Sequence, residues 1–204
     1  MSQAISPPTD GVLALDRLSE QLLAAAPSLR VALAETPTER AAIGRLRHRQ
    51  VTDHGWATLE GDVELDAYDA RALQVGAWDA GTLVGAMRVV LPAPGLRLPV
   101  EDAFGVEVEP RGSVVEAGRL VITPEFRGDP AHRIWGALFA RAWCELSARG
   151  YSILAGAASR RMVDRLRAVG LPFEILGAAR PFWGEDRHPV RLDPAAGSPS
   201  WFRH

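Results

Sequence analysis

The chain contains no lysine; all 23 of its basic residues are arginine. That absence excludes Schiff-base chemistry, anchoring of pyridoxal phosphate and a Walker-type phosphate lysine. It favours forked, bidentate contacts to carboxylates and phosphates over point-charge contacts. The single cysteine, Cys144, rules out an internal disulfide framework, and its setting (Ala142-Trp143-Cys144-Glu145-Leu146) reads as a small core position. The five histidines (48, 54, 132, 188 and 204) are scattered, with no HExxH motif or Cys/His cluster, so no metal is expected. No apolar run reaches the ~18 residues that span a bilayer. The first residues lack the basic and apolar regions of a signal peptide, so a cytoplasmic protein without a membrane partner is expected. A net charge of −2 gives no nucleic-acid footprint.

What is present is ordinary for a globular protein: 47% hydrophobic and 24% charged residues in 204, enough for one domain with a full core. Residues 1–28 read as a leader and an accessory helix, residues 29–193 as a single domain, and residues 194–204 as a tail. Leu15, Leu18, Leu22 and Leu23 give helical spacing over residues 12–26, ending at Pro27. A short strand over residues 29–34 leads to Thr36, which caps a helix with Pro37 first and Glu39 third, running to about Thr52. Residues 55–70 are polar and irregular. Strands over 73–78 and 82–91 form a hairpin through Ala80-Gly81. Residues 92–111 form a long connection, followed by a strand over 114–123. A strong helix over 130–149 ends at Gly150. Then come a strand (153–158), a helix (159–169) and strands over 173–176 and 188–192. The order predicts an α/β fold, a mixed sheet flanked by helices.

Charge appears where apolar sequence should continue. The strand Val114-Val115-Glu116-Ala117-Gly118-Arg119-Leu120-Val121-Ile122 carries Glu116 and Arg119, and Arg88 interrupts the second hairpin strand. Removing an ion from water costs several kcal/mol unless it is paired. Glu116 and Arg119 would lie on opposite faces of an ideal strand, and Gly118 offers a bulge to re-aim one. Arg47, Asp66, Asp69, Arg88, Glu116 and Arg119 therefore form a charge-balanced candidate network able to fix a zwitterionic substrate. A structural ion pair is the competing reading. Asp62 and Glu64 read as a solvated surface loop. The turn Phe126-Arg127-Gly128-Asp129-Pro130-Ala131-His132 opens the long helix, whose amides, with Arg127, suit the phosphates of an acyl carrier. The regions of Trp183 and Trp201 read as exposed, either interfaces or packed tails.

The element order and this turn resemble the GNAT acyltransferases. Their phosphate loop is Arg/Gln-x-x-Gly-x-Gly/Ala; Arg127 fits the first position, while Pro130 and His132 stand where Gly and Gly/Ala are usual. A more specific resemblance, over about residues 45–125, is to the LuxI-type acyl-homoserine lactone (autoinducer) synthases of quorum sensing, a GNAT branch. It is carried by Arg47, Trp56, Asp66-Ala67-Tyr68-Asp69, Gly85-Ala86-Met87-Arg88, Phe104 and Glu116-Ala117-Gly118-Arg119, in family order. Val51 replaces the usual Phe and Gly118 the usual Ser.

The resemblance implies an αβα sandwich with a mixed, mostly antiparallel sheet and a V-shaped cleft. It implies an acyl donor, either acyl-CoA or the phosphopantetheine thioester of acyl carrier protein, and an amine acceptor, an amino acid or S-adenosylmethionine. On this reading Glu116 and Arg119 are catalytic, with Glu116 taking the amine proton. Arg47, Trp56, Asp66, Asp69, Arg88 and Phe104 shape the acceptor pocket, and Phe126, Arg127, Gly128 and His132 hold the donor. The rival readings are an acetyl-CoA-dependent acetyltransferase acting on a small amine and a non-catalytic GNAT-like binding protein.

Overall fold

The computed structural model describes residues 9–126, 128–168, 170–171 and 173–196. One sheet organises the chain. Its strands are β1 (Leu29–Leu33), β2 (Ala72–Asp79), β3 (Thr82–Val90), β4 (Val114–Ile122), β5 (Ile153–Ala158), β6 (Glu174–Ile175), β7 (Arg180–Phe182) and β8 (Glu185–Leu192). The spatial order is β1-β2-β3-β4-β5-β8-β6, with β7 paired to β8. Every pairing is antiparallel except β4 with β5.

Helices α1 (Asp10–Ala24), α4 (Asp129–Ser147) and α5 (Arg160–Ala168) supply one layer. Leu15, Ile134, Leu138, Phe139, Trp143, Leu146 and Leu166 pack there against Val75, Val84, Val89, Val115 and Leu154. Helices α2 (Pro37–Asp53) and α3 (Pro99–Phe104) supply the other. Ile43 and Leu46 of α2 meet Ala86 and Val121, while Val100 and Phe104 of α3 meet Val90, Val114 and Ala155. Burying each such large side chain contributes about 1.5–3 kcal/mol. The architecture is the mixed αβα sandwich expected.

Local chemistry explains the helix ends. Thr36 and Glu39 form a reciprocal capping box, the Glu39 amide donating to the Thr36 hydroxyl at 3.1 Å. The accessory helix α1 is anchored to α4, with Trp143 Nε1 donating to Asp16 Oδ1 at 2.6 Å. Its Gly11 lies against the Pro194 carbonyl, which leaves no room for a side chain.

Two elements escaped the sequence. The connection over 92–111 contains α3, whose six residues are too few to show a helical period; Glu101 fixes it by accepting from the amides of Leu98 and Val108. The three-residue β7 forms a hairpin with β8 through Trp183-Gly184.

Candidate active site

The site begins where two strands part. β4 and β5 pair only at Val114–Ile153, Val115–Leu154 and Glu116–Ala155. Beyond Glu116 they diverge, opening a cleft of about 270 Å³ between residues 116–121 and 154–159. Gly156 sits at the apex, where a Cβ would fall 2.7 Å from the Ala117 carbonyl oxygen.

On its other edge β4 bulges. Gly118 pairs with Arg88 and Val121 with Ala86, so β4 carries one extra residue. Arg119 absorbs the distortion at φ +52°. The sequence pointed to Gly118 for this role; the left-handed residue is Arg119 itself. In consequence Glu116 and Arg119 both line the cleft instead of facing opposite ways.

Arg119 belongs to a closed ring of six charges. It reaches Glu64 and Asp66, each at 3.1 Å. Asp66 also takes Arg88 at 2.6 Å, and Arg88 reaches Asp69 at 2.9 Å. Asp69 takes Arg47 at 2.7 Å, and Arg47 bonds Glu64, closing the ring. Each acid bridges two arginines and each arginine bridges two acids, so formal charge cancels. Such cancellation is what lets Arg47 (1% exposed) and Arg88 (2%) lie inside the protein. Burial works to raise the Asp69 carboxyl, but hydrogen bonding from Arg47, the Asp66 amide and the nearby Arg88 hold it well below the ordinary range. The Asp-x-Tyr-Asp segment is thereby explained: Asp66 caps a short 3-10 turn, Asp69 completes the capping box, and the Tyr68 ring lies 5.9 Å from the Arg88 guanidinium.

Two expectations are corrected here. Glu64 is not a solvated loop residue; it is 4% exposed and is the third acid of the ring. Glu116 is not in the ring. It is 6% exposed, and its carboxylate accepts from the Val100 amide at 2.6 Å. Burial raises its pKa to about 7, against the opposing pull of that amide, Arg88 and Arg119.

The cleft lining is mixed. Its polar end, at Arg119, carries Trp183, with Arg187 and Trp56 against the same turn; the lining also includes apolar groups, among them Met87, Val121, Trp135, Phe139, Met162 and Phe173. The β7–β8 hairpin covers the polar end. Trp183 and Gly184 both have positive φ, the geometry of a tight two-residue hairpin turn. Trp183 lies over Arg119, the guanidinium carbon 4.1 Å from the ring centroid. This tryptophan is half-buried in the cleft wall, not on an exposed face; Trp201 lies outside the described residues.

Of the other sequence candidates, Arg47 and Trp56 line the cleft, while Asp66, Asp69 and Arg88 stand behind its wall in the ring. Phe104 does not line it. It is buried in the second core cluster and packs on Phe182 at 5.4 Å. Phe126 packs against the main core, Gly128 precedes α4 at φ +92°, and His132 is exposed on its first turn. None of these three lines the cleft, and Arg127 lies outside the described residues. Glu64, Trp183 and Arg187 were missed. A Trp-Gly pair inside a polar hairpin sequence was the available signal for the second.

Comparisons with known proteins agree with the fold. The acetyltransferase (GNAT) domain family matches residues 46–136. TofI, solved as a ternary complex with an inhibitor and MTA, superposes with a TM-score of 0.64 at 25% identity over 86% of this chain and 96% of its own. FeeM, an N-acyl amino acid synthase from uncultured soil microbes, gives 0.64 at 15% identity over 82% and 93%. BjaI, a CoA-dependent acyl-homoserine lactone synthase solved with SAM and isopentyl-CoA, gives 0.58 at 18% identity over 75% and 74%. None of the curated protein sequences matches the chain. No helix among the described residues is long and apolar enough to cross a membrane.

Proposed function

We propose that this GNAT-type acyltransferase moves an acyl group from acyl-CoA or acyl carrier protein to the amine of an amino-acid-like acceptor, in the manner of the acyl-homoserine lactone synthases. The observation that carries the proposal is Glu116. A carboxyl group with its pKa raised to about 7, where β4 and β5 part, is matched to general-base work near neutrality.

The chemistry follows from the cleft. An amine attacks a thioester only when neutral, so Glu116 takes its proton directly or through water. The nitrogen lone pair then adds to the thioester carbon. Beyond Glu116 the strand has no β5 partner, and its amides on that edge suit the developing oxyanion. Collapse expels the thiolate, which leaves as the free thiol once protonated. Arg119, held by Glu64 and Asp66, is a positioning residue that fixes the polar wall. The apolar lining, which includes Met87 and Phe173, takes the acyl chain. Trp56 and Trp183 shield the reacting atoms from water.

S-adenosylmethionine and free amino acids are the acceptors to be tried, because the comparison proteins include synthases of both kinds. The start of α4, with Phe126, Arg127, Gly128 and His132, is the proposed donor-phosphate region. A cytoplasmic setting suits these substrates. The test is product identification by mass spectrometry after incubation with a panel of acyl-CoAs and acyl carrier proteins and each acceptor. An N-acyl product that depends on both supports the reading; no acceptor-dependent thiol release from folded protein overturns it.

A further inference from the structure

Helix α4 divides its large side chains between two tasks. Ile134, Leu138, Trp143 and Leu146 are at most 2% exposed and fill the core. Trp135 is only half-buried, and with Phe139, one turn on, it lines the cleft. The two rings are stacked, nearly parallel at 8° with centroids 5.5 Å apart. In that range aromatic pairs attract one another beyond what their buried area gives. A parallel pair bordering a cleft can take a third ring on the same terms. The β5 wall leaves space for one. Leu154 packs in the core with α4, and side chains alternate along a strand, so Gly156 and Ala158 share its face. Past Leu154, that face of β5 carries nothing larger than a methyl group.

Volume sets a second limit. The whole cleft holds about 270 Å³ and has to take the acceptor's amine as well as the acyl group. An apolar cavity of about 150 Å³ is enough for a benzene ring. Met87 and Met162 also line the cleft, and their polarisable thioethers suit the edge of a ring. We propose that the acyl group transferred is aryl-bearing, its ring lying against the Trp135–Phe139 pair, with Trp135 as the residue that sets this preference. The inference rests on the acyl-transfer reading and adds to it a donor class and a specificity-determining residue.

The test compares three acyl groups of equal carbon number in the thiol-release assay: phenylacetyl, cyclohexylacetyl and octanoyl, each as its CoA thioester and on acyl carrier protein. Cyclohexylacetyl keeps the bulk of the ring and removes its π-face. For wild type, kcat/KM with phenylacetyl should exceed that with either of the others by about twofold to tenfold, the range for one aromatic pair. Trp135→Leu should bring the ratio of phenylacetyl to cyclohexylacetyl close to one, and Trp135→Phe should keep most of it. A ratio cancels any general loss of activity, so a merely structural role for Trp135 would not move it. Octanoyl equal to or better than phenylacetyl, cyclohexylacetyl equal to phenylacetyl, or a ratio unchanged in Trp135→Leu would overturn the inference while leaving acyl transfer standing. Absence of acceptor-dependent thiol release with every donor would instead overturn the acyl-transfer reading and this one with it. Thermal unfolding is followed on the same samples; should Trp135→Leu not fold, Trp135→Met carries the same comparison.

Discussion

Arg119 donates from Nε to Glu64 Oε1 at 3.1 Å across 55 residues of sequence, and this bond joins the irregular loop before β2 to the bulge in β4. It is one of the contacts that turn a set of isolated charges into a closed ring. Without Glu64, Arg47 and Arg119 would each keep a single acid, and the cleft wall would carry an uncompensated buried cation.

Glu64→Ala should therefore be strongly destabilising, by about 3–5 kcal/mol, the usual cost of stranding a buried charge. Asp62→Ala, two residues away and exposed, should stay within about 0.5 kcal/mol of wild type. Chemical denaturation of the two variants checks the contrast; equal effects would contradict the ring.

Glu116 sets two opposite pH dependences. As a base it works only when ionised, so kcat/KM should rise about tenfold per pH unit below about 7 and level off above it. Stability should run the other way. The folded protein holds the Glu116 proton more tightly than the unfolded chain, whose pKa is near 4.5, so this group's contribution is full below 4.5 and is lost as pH climbs to about 7. The loss is about 3 kcal/mol. Glu116→Gln should remove that slope while abolishing the activity profile, which unfolding curves at several pH values would show.

Gly118→Ser should fold normally. Gly118 is outside the left-handed region, and a Cβ there would lie 3.9 Å from Glu116 Oε1 with nothing closer. A serine hydroxyl donating to that carboxylate would favour its charged form, so the pH–rate midpoint should move to lower pH. An unchanged midpoint would mean the hydroxyl does not reach it.

Gly184→Ala should disturb the polar mouth of the cleft. A Cβ there would fall 1.9 Å from Trp56 Nε1, and φ is +80°. Displacing the indole should cost about 1–3 kcal/mol and shift the tryptophan fluorescence, whereas Gly81→Ala, at a turn with open space, should leave the fluorescence unchanged.

The strands, the long helices and the capping box were legible because each is written in local periodicity or in a Thr-Pro-x-Glu signature. The charged strand residues were legible as a site, because charge inside apolar sequence has few bland explanations. Five members of the ring were legible in the same way; the third acid, Glu64, was not, and Glu116 was wrongly counted in its place. Glu64 sits among exposed acids in an irregular loop, and nothing local distinguishes it from Asp62; its burial is decided by Arg47 and Arg119, contributed by α2 and β4. Phe104 misled for the converse reason: an aromatic in a long connection reads equally as pocket or core, and α3 turns it into the core. Trp183 and Arg187 depend on a hairpin too short to leave a pattern.

Glu116 acting as the base of an acyl transfer in the β4–β5 cleft is the central proposal. The most direct measurement is acceptor-dependent thiol release by wild type and Glu116→Gln side by side, above the Glu116 pKa of about 7 and with unfolding midpoints recorded. The expected result is transfer by wild type and a loss of roughly 10²–10⁴-fold in the folded variant, the range for removing a general base. Equal rates for the two proteins would contradict it.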